Sequence, residues 1–178
     1  MRLSINEELS LKQIEISDTA PIFKIIDGQR PYLGKWLPFV EFTKDFSDVE
    51  AFIKSVVNAP ESSFEFVFTI RKIDEIIGLI SFKNTDFRDK KTEIGYWLSQ
   101  EYQGNGIMTL SVTTLCNFAF NTLKLNRIEI KCAIENHSSI AVTKKLGFTY
   151  EGIQRHGEYV SKNCFRDLKV YSLLKSDY

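Results

Sequence analysis

The sequence predicts a single α/β domain, residues 1–178, on a mixed, mostly antiparallel sheet of seven strands with helices on both faces. Three observations predict it. Strand-like runs form a hairpin before the middle of the chain and another at its end. Between the hairpins, strand and helix patterns alternate, as crossover connections require. The length, 178 residues with 43% hydrophobic, suffices for one sizeable core.

Residues 9–16 read as the first strand. Asp18, ahead of Pro21 and the apolar set Ile22, Phe23, Ile25 and Ile26, predicts a capped helix with proline in its first turn, ended or kinked at Gly28. Residues 30–42 are rich in aromatics and broken by prolines, which suits a packed loop or short helix. Ser47 to Glu50 has the form of a capping box, opening a helix to about Asn58. Residues 64–70 and 76–82 flank a polar turn and predict a hairpin. Residues 93–98 are the next strand. Met108, Val112, Leu115 and Ala119 then recur at spacings of four, three and four, one face of a helix. In 127–134, Ile128, Ile130, Cys132 and Ile134 alternate with Arg127, Glu129 and Lys131, a half-buried strand. Residues 138–146 form a short helix closed by Gly147. Residues 148–158 and 164–174 are the last two strands, joined by a polar turn at Ser161, Lys162 and Asn163.

Composition excludes several classes. Twenty-three basic residues balance twenty-three acidic ones, so no global field draws the chain to nucleic acid or an anionic membrane. The N-terminal residues carry no apolar signal segment, and no apolar run is long enough to span a bilayer. A cytoplasmic protein is expected. Cys116, Cys132 and Cys164 lack the spacing of a zinc site or a disulfide framework. His137 and His156 are the only histidines, and no metal is expected.

The stretch with most chemical content is Gln103-Gly104-Asn105-Gly106-Ile107-Met108-Thr109, between a strand and a helix. A Walker loop needs Lys after its last glycine, and Ile107 stands there. A Rossmann fingerprint needs a third Gly or Ala where Thr109 stands, and it opens the first βαβ unit, whereas this turn follows several strands. Two readings remain from the turn alone. One is a pyrophosphate site, with glycines letting the backbone approach an anion at a helix N-terminus. The other is a plain strand-to-helix turn.

The turn resembles the acetyl-CoA loop of GNAT-superfamily acetyltransferases, Gln/Arg-x-x-Gly-x-Gly/Ala, departing from it at Met108. An Ile-Met pair at this place is familiar in the RimL-like, ribosomal-protein-serine N-acetyltransferase branch. "EIGYWLSQEYQGNGI" is similar to the family's fourth strand and loop. "ENHSSIAVTKKLGFTYEG" resembles its Asn-x-x-Ser segment, "FRDLKVYSLL" its closing strand and "YLGKWLPFV" its aromatic N-terminal loop. The order of the four motifs matches. The resemblance implies a GNAT fold, splayed between its fourth and fifth strands, that transfers acetyl from acetyl-CoA to an amine. The acceptor it implies is a protein N-terminal α-amine; a small amine, or a non-catalytic acyl-CoA-binding module, is the alternative. It also suggests a homodimer.

The same resemblance assigns roles. It puts the general base on Glu158, and the proton donor to the leaving thiolate on Ser139, which equally suits a first-turn helix serine. Tyr96, Trp97 and Leu98 become the wall of the pantetheine arm, with core packing the other reading of Trp97. Gln103, Gly104, Asn105, Gly106, Ile107, Met108 and Thr109 hold the pyrophosphate, and Asn136 the pantetheine arm. Lys145 or Lys144 meets the 3′-phosphate or lies on a solvated face. Trp36 and Phe39 line the acceptor site. His156, two residues from Glu158 and so on the same side of a regular strand, lines it too or is a plain surface histidine.

Overall fold

A computed structural model describes residues 1–60 and 66–178. The strands are β1 (Arg2–Ser4), β2 (Leu9–Gln13), β3 (Val67–Lys72), β4 (Glu75–Asp86), β5 (Lys91–Leu98), β6 (Arg127–Ala133), β7 (Thr149–Ser161) and β8 (Cys164–Leu174). The helices are α1 (Thr19–Gly28), α2 (Arg30–Leu33), α3 (Phe39–Phe42), α4 (Phe46–Val57), α5 (Ile107–Asn117) and α6 (His137–Lys145). The fold is the expected mixed α/β arrangement on one open sheet, in the order β1-β2-β3-β4-β5-β6-β8-β7. Among the described residues it has eight strands rather than seven. The added β1 is three residues long and largely exposed, so it leaves no alternating pattern to read.

The pairs β1–β2, β2–β3, β3–β4, β6–β8 and β7–β8 are antiparallel. β5 and β6, linked through α5, are parallel, and their pairing is confined to Lys91↔Arg127, Thr92↔Ile128 and Glu93↔Glu129. Both strands continue past that point, β5 to Leu98 and β6 to Ala133. The expected parting of these two strands is therefore present. The expected start of a strand at Phe64 lies outside the described residues; the strand there is β3.

Contacts divide the chain into two units, one of residues 1–81 and 96–107, the other of 82–95 and 108–178. In the first, Ile22 and Ile26 of α1, Val49 and Ile53 of α4, Ile76 of β4 and Trp97 of β5 share one core. Gly78 of β4 lies so close to β5 that a Cβ there would meet the Trp97 carbonyl oxygen at 2.3 Å. The helix that Asp18 was expected to cap instead starts after a short 3-10 turn. Asp18, 3% exposed, makes no side-chain cap bond to α1; it pairs with the Arg71 guanidinium and accepts the Glu15 N–H at 3.1 Å, in the capping box of the 3-10 turn. The capping box of α4 sits two residues earlier than expected. Asp45 accepts the Ser47 N–H at 2.8 Å and Asp48 returns to the Asp45 N–H at 3.1 Å. Residues 30–42 form two single helical turns, α2 and α3.

In the second unit, Val112 and Leu115 of α5 and Ala119 of the helical turn that continues it are fully buried, as their periodicity predicts, and Met108 at the start of that face is half-buried. β6 alternates without a break, its even-numbered residues buried. Its other face carries Arg127, whose guanidinium grips Glu151 through two bonds, at 2.7 and 2.6 Å, and reaches Glu129 at 2.6 Å. The Arg127 and Ser172 bonds hold the Glu151 carboxyl down to about 2. A depressed carboxyl contributes stability above its unfolded pKa and loses it as pH falls toward the folded one. Arg127→Ala should therefore cost about 1 kcal/mol near neutrality, since the pair is partly exposed. In thermal melts, the difference from wild type should close as pH falls from about 4.5 toward 2.

Candidate active site

Within the first unit, β5 ends in a run of polar side chains locked to α1 and α2. Ser99, 2% exposed, accepts the Gln29 Nε2–H at 2.6 Å and donates to Glu101 at 3.2 Å. Gln29 Oε1 in turn accepts the Gln100 N–H at 2.9 Å. Tyr32 donates its hydroxyl to the Leu98 carbonyl at 3.3 Å and accepts from the Gln103 side-chain amide. Tyr102 donates to Glu75 at 2.8 Å. Asn105 closes the turn with its amide on the Gln103 carbonyl at 3.1 Å.

Gly104 and Gly106 follow at φ +77° and +73°, the left-handed region open to glycine at little cost. A Cβ at either would meet no atom within 4 Å, so backbone conformation rather than crowding calls for glycine. Helix α5 starts at Ile107, so its first N–H groups lie directly after two permissive glycines, Gly104 exposed and Gly106 half-buried. This donor set, without a lysine, fits a pyrophosphate. Ile107 is buried; Met108 and Thr109 are half-buried and lead the helix. Trp97 belongs to the core of this unit, as its packing reading had it, and Tyr96 is half-buried. Trp36 is half-buried between α2 and α3, and Phe39 is 41% exposed.

Within the second unit, Asn136 caps α6, its Oδ1 accepting the Ser139 N–H at 3.1 Å. The Ser139 hydroxyl does not cap; it lies 3.1 Å from the Cys132 sulfur on β6. Burial holds the Cys132 thiol up at about 11, so the sulfur stays protonated beside that hydroxyl. Lys145 is exposed at the end of α6. All three cysteines are unpaired, and among the described residues no three potential metal ligands cluster.

Glu158 stands on β7 opposite Arg166 of β8, with Oε2 3.1 Å from the guanidinium Nε. Burial raises its pKa above the ordinary carboxylate value; Arg166 and Lys83 pull it down, and Glu93 pushes it up. Lys83 passes over Gly95, where a Cβ would come within 2.8 Å of its Nζ. Glu93 pairs with Lys131 at 2.9 Å. The cations around the carboxylate thus come from β4 and β8.

The expected alignment of His156 with Glu158 is overturned. Between Gln154 and Glu158 β7 bulges, and His156 takes φ +49°. Its N–H donates to Asp167 Oδ1 at 2.8 Å, and its ring stacks on Phe165, centroids 5.6 Å apart. Phe165 and Arg166 are adjacent on β8 and point to opposite faces. His156 therefore stands on the face away from Glu158.

Three side chains at these sites carry no local signal in the sequence: Gln29, Tyr32 and Lys83. Each acts on residues many positions away.

Known proteins resemble the chain over nearly its whole length. YdaF of Bacillus subtilis (strain 168), named as a candidate ribosomal N-acetyltransferase, is 33% identical over 178 residues, covering 98% of this chain and 95% of its own. The ribosomal-protein-serine acetyltransferase of Escherichia coli (strain K12) is 28% identical over 170 residues, 96% of this chain and 94% of its own. Among solved structures, the microcin C7 self-immunity acetyltransferase MccE, in complex with acetyl-CoA and AMP, superposes with a TM-score of 0.89 at 26% identity, covering 96% of this chain and 94% of that one. The model of the acetyltransferase (GNAT) domain matches residues 8–149. With that match over most of its length, and the parted strands and glycine turn described above, the chain belongs to the GNAT acetyltransferase family.

Proposed function

We propose that this protein transfers the acetyl group of acetyl-CoA to the N-terminal α-amine of a protein, with residues 1–178 acting as one catalytic domain. The observation that carries the reading is Glu158, a half-buried carboxylate with a raised pKa. An α-amine has a pKa of about 8, so neutralising it at pH 7 costs about 1.4 kcal/mol, against roughly 4.6 for a lysine. One carboxylate of raised basicity suits the easier task. The ribosomal relatives support the same acceptor. A ribosomal acceptor would place the protein in the cytoplasm.

Acetyl-CoA brings an acyl group activated as a thioester. Backbone N–H groups after Gly104 and Gly106 hold its pyrophosphate, and Gln103, Asn105, Ile107, Met108 and Thr109 shape the turn around it. Gln103 does so through its backbone, since its side chain is given to Tyr32. Tyr96, Trp97 and Leu98, at the end of β5, offer backbone groups to the pantetheine arm, and Asn136 offers its amide. Glu158 accepts the ammonium proton. The neutral amine nitrogen bonds to the carbonyl carbon, the C–S bond breaks and Ser139 gives the departing sulfur a proton; the second proton that the nitrogen loses in becoming an amide restores the Ser139 hydroxyl through solvent. Trp36 and Phe39 line the acceptor, and Lys145 meets the 3′-phosphate. The protein works as a homodimer, which light scattering on the purified chain tests.

The deciding assay mixes acetyl-CoA with a Ser-starting peptide, spermidine or an aminoglycoside and follows free thiol. Release with the peptide, at a kcat/KM above the other two, is expected; no release with any amine would overturn the reading. Ser139→Ala should lower kcat by about 100-fold, the lower end of general acid catalysis, with the CoA Kd unchanged. Equal losses in both would assign Ser139 to structure alone.

A further inference from the structure

The geometry points to Tyr32 and Gln29 as positioning residues that hold the turn at 98–103 ready for acetyl-CoA and tie it to the segment bearing Trp36 and Phe39. This rests on the turn being the co-substrate site. The two side chains fasten it at four points: the Leu98 carbonyl, the Ser99 hydroxyl, the Gln100 N–H and the Gln103 amide. These points run from the last residue of β5 to the residue before the first positive-φ glycine. Beyond Leu98 the stretch holds a short 3-10 turn, tied to β4 by the Ser99 N–H on the Ile77 carbonyl at 2.8 Å and by Tyr102 on Glu75. The side chains of α1's C-cap and of α2 supply the remaining ties.

The clamp is built to last. Burial raises the Tyr32 hydroxyl above the usual phenol range, so it remains a donor to Leu98 at working pH. The Tyr32 ring packs on the first unit's core, and Ser99 is almost fully buried. A loop that must present several N–H groups to one anion gains affinity when ordered beforehand, because binding no longer bears the ordering cost. The same residues face the acceptor side by chain connectivity. Trp36 N–H donates to the Leu33 carbonyl at 3.0 Å, one residue beyond Tyr32, and Leu37 N–H to the same carbonyl at 2.9 Å. A shift of α2 on acceptor binding would be felt at Leu98 and Gln103, and the reverse.

Tyr32→Phe keeps the ring and removes both hydroxyl bonds. By calorimetry, its CoA Kd should rise about tenfold, equivalent to about 1.4 kcal/mol. The KM for acetyl-CoA should rise in step while kcat stays within about threefold, a split that general loosening of the fold would not produce. Gln29→Ala should do the same, and Gln29→Glu, which keeps the acceptor for Gln100 N–H, should recover part of the loss. A CoA Kd within twofold of wild type in both Tyr32→Phe and Gln29→Ala overturns the inference. So does a KM held constant while kcat falls. If Tyr32→Phe does not fold, Gln29→Ala carries the test. A wild-type chain that binds CoA and acetylates nothing would overturn the proposed function, while the Kd ratio would still decide the clamp.

Discussion

Glu158→Gln is expected to lower kcat/KM by about 10²- to 10⁴-fold, the range of general base catalysis, and to remove the carboxylate's own step from the acidic limb of its pH profile, leaving the fall set by the amine at about 8. The carboxylate accepts a proton only when ionised. Because burial raises its pKa, the wild-type rate should fall as pH drops through a value above the ordinary carboxylate range. Arg166 acts against that rise, from 3.1 Å. Arg166→Ala should therefore move the limb to still higher pH, whereas a merely structural Arg166 would leave it in place. Gln keeps the shape of Glu, so Glu158→Gln should melt close to wild type. The pH–rate profile with acetyl-CoA and a Ser-starting peptide is the measurement. An unchanged rate in Glu158→Gln, with the limb intact, would rule out the base.

Asp18→Ala is expected to cost about 3–5 kcal/mol of stability, the usual result of breaking a buried ion pair from one side. The side chains of Asp18 and Arg71 are 4% and 12% exposed, so alanine leaves the guanidinium in a site that water hardly reaches. It also strips the Glu15 N–H of its acceptor. For a chain of this size the loss should lower Tm by roughly 6–20 °C. Replacing both partners, as Asp18→Leu with Arg71→Met, should be milder than either Asp18→Ala or Arg71→Ala, because no charge is then left unpaired. A melting shift under about 2 °C for Asp18→Ala would show that the pair contributes little.

These two residues also mark where sequence reading succeeds and where it stops. Asp18 has the position and chemistry of a helix cap, and it became the partner of an arginine 53 positions away. No local pattern distinguishes the two fates, because the competing donor arrives only when β3 packs beside that segment. Glu158 was recognisable as a candidate from the motif it shares with a family. Its partner was not. Counting regularly back from the Ser161↔Cys164 pair would set Glu158 against Asp167, a like charge. An irregularity between Tyr159 and Ser161 moves it onto Arg166 instead. A second, between Gln154 and Glu158, turns His156 to the other face. Parity along a strand is a strong rule only while pairing is regular.

By itself the sequence determined the elements whose signal is periodic or punctuated. The apolar face of α5, the alternation of β6, and the left-handed glycines at 104, 106 and 147 all follow from neighbours within a few positions. So did the family, because its motifs are contiguous. Only the tertiary structure decided which distant side chains meet: Tyr32 with Leu98 and Gln103, Gln29 with Ser99, Arg71 with Asp18, Arg166 with Glu158. The reason is physical. Backbone geometry imposes its periods locally, whereas a polar side chain far along the chain finds its partner only through strand register, bulges and packing.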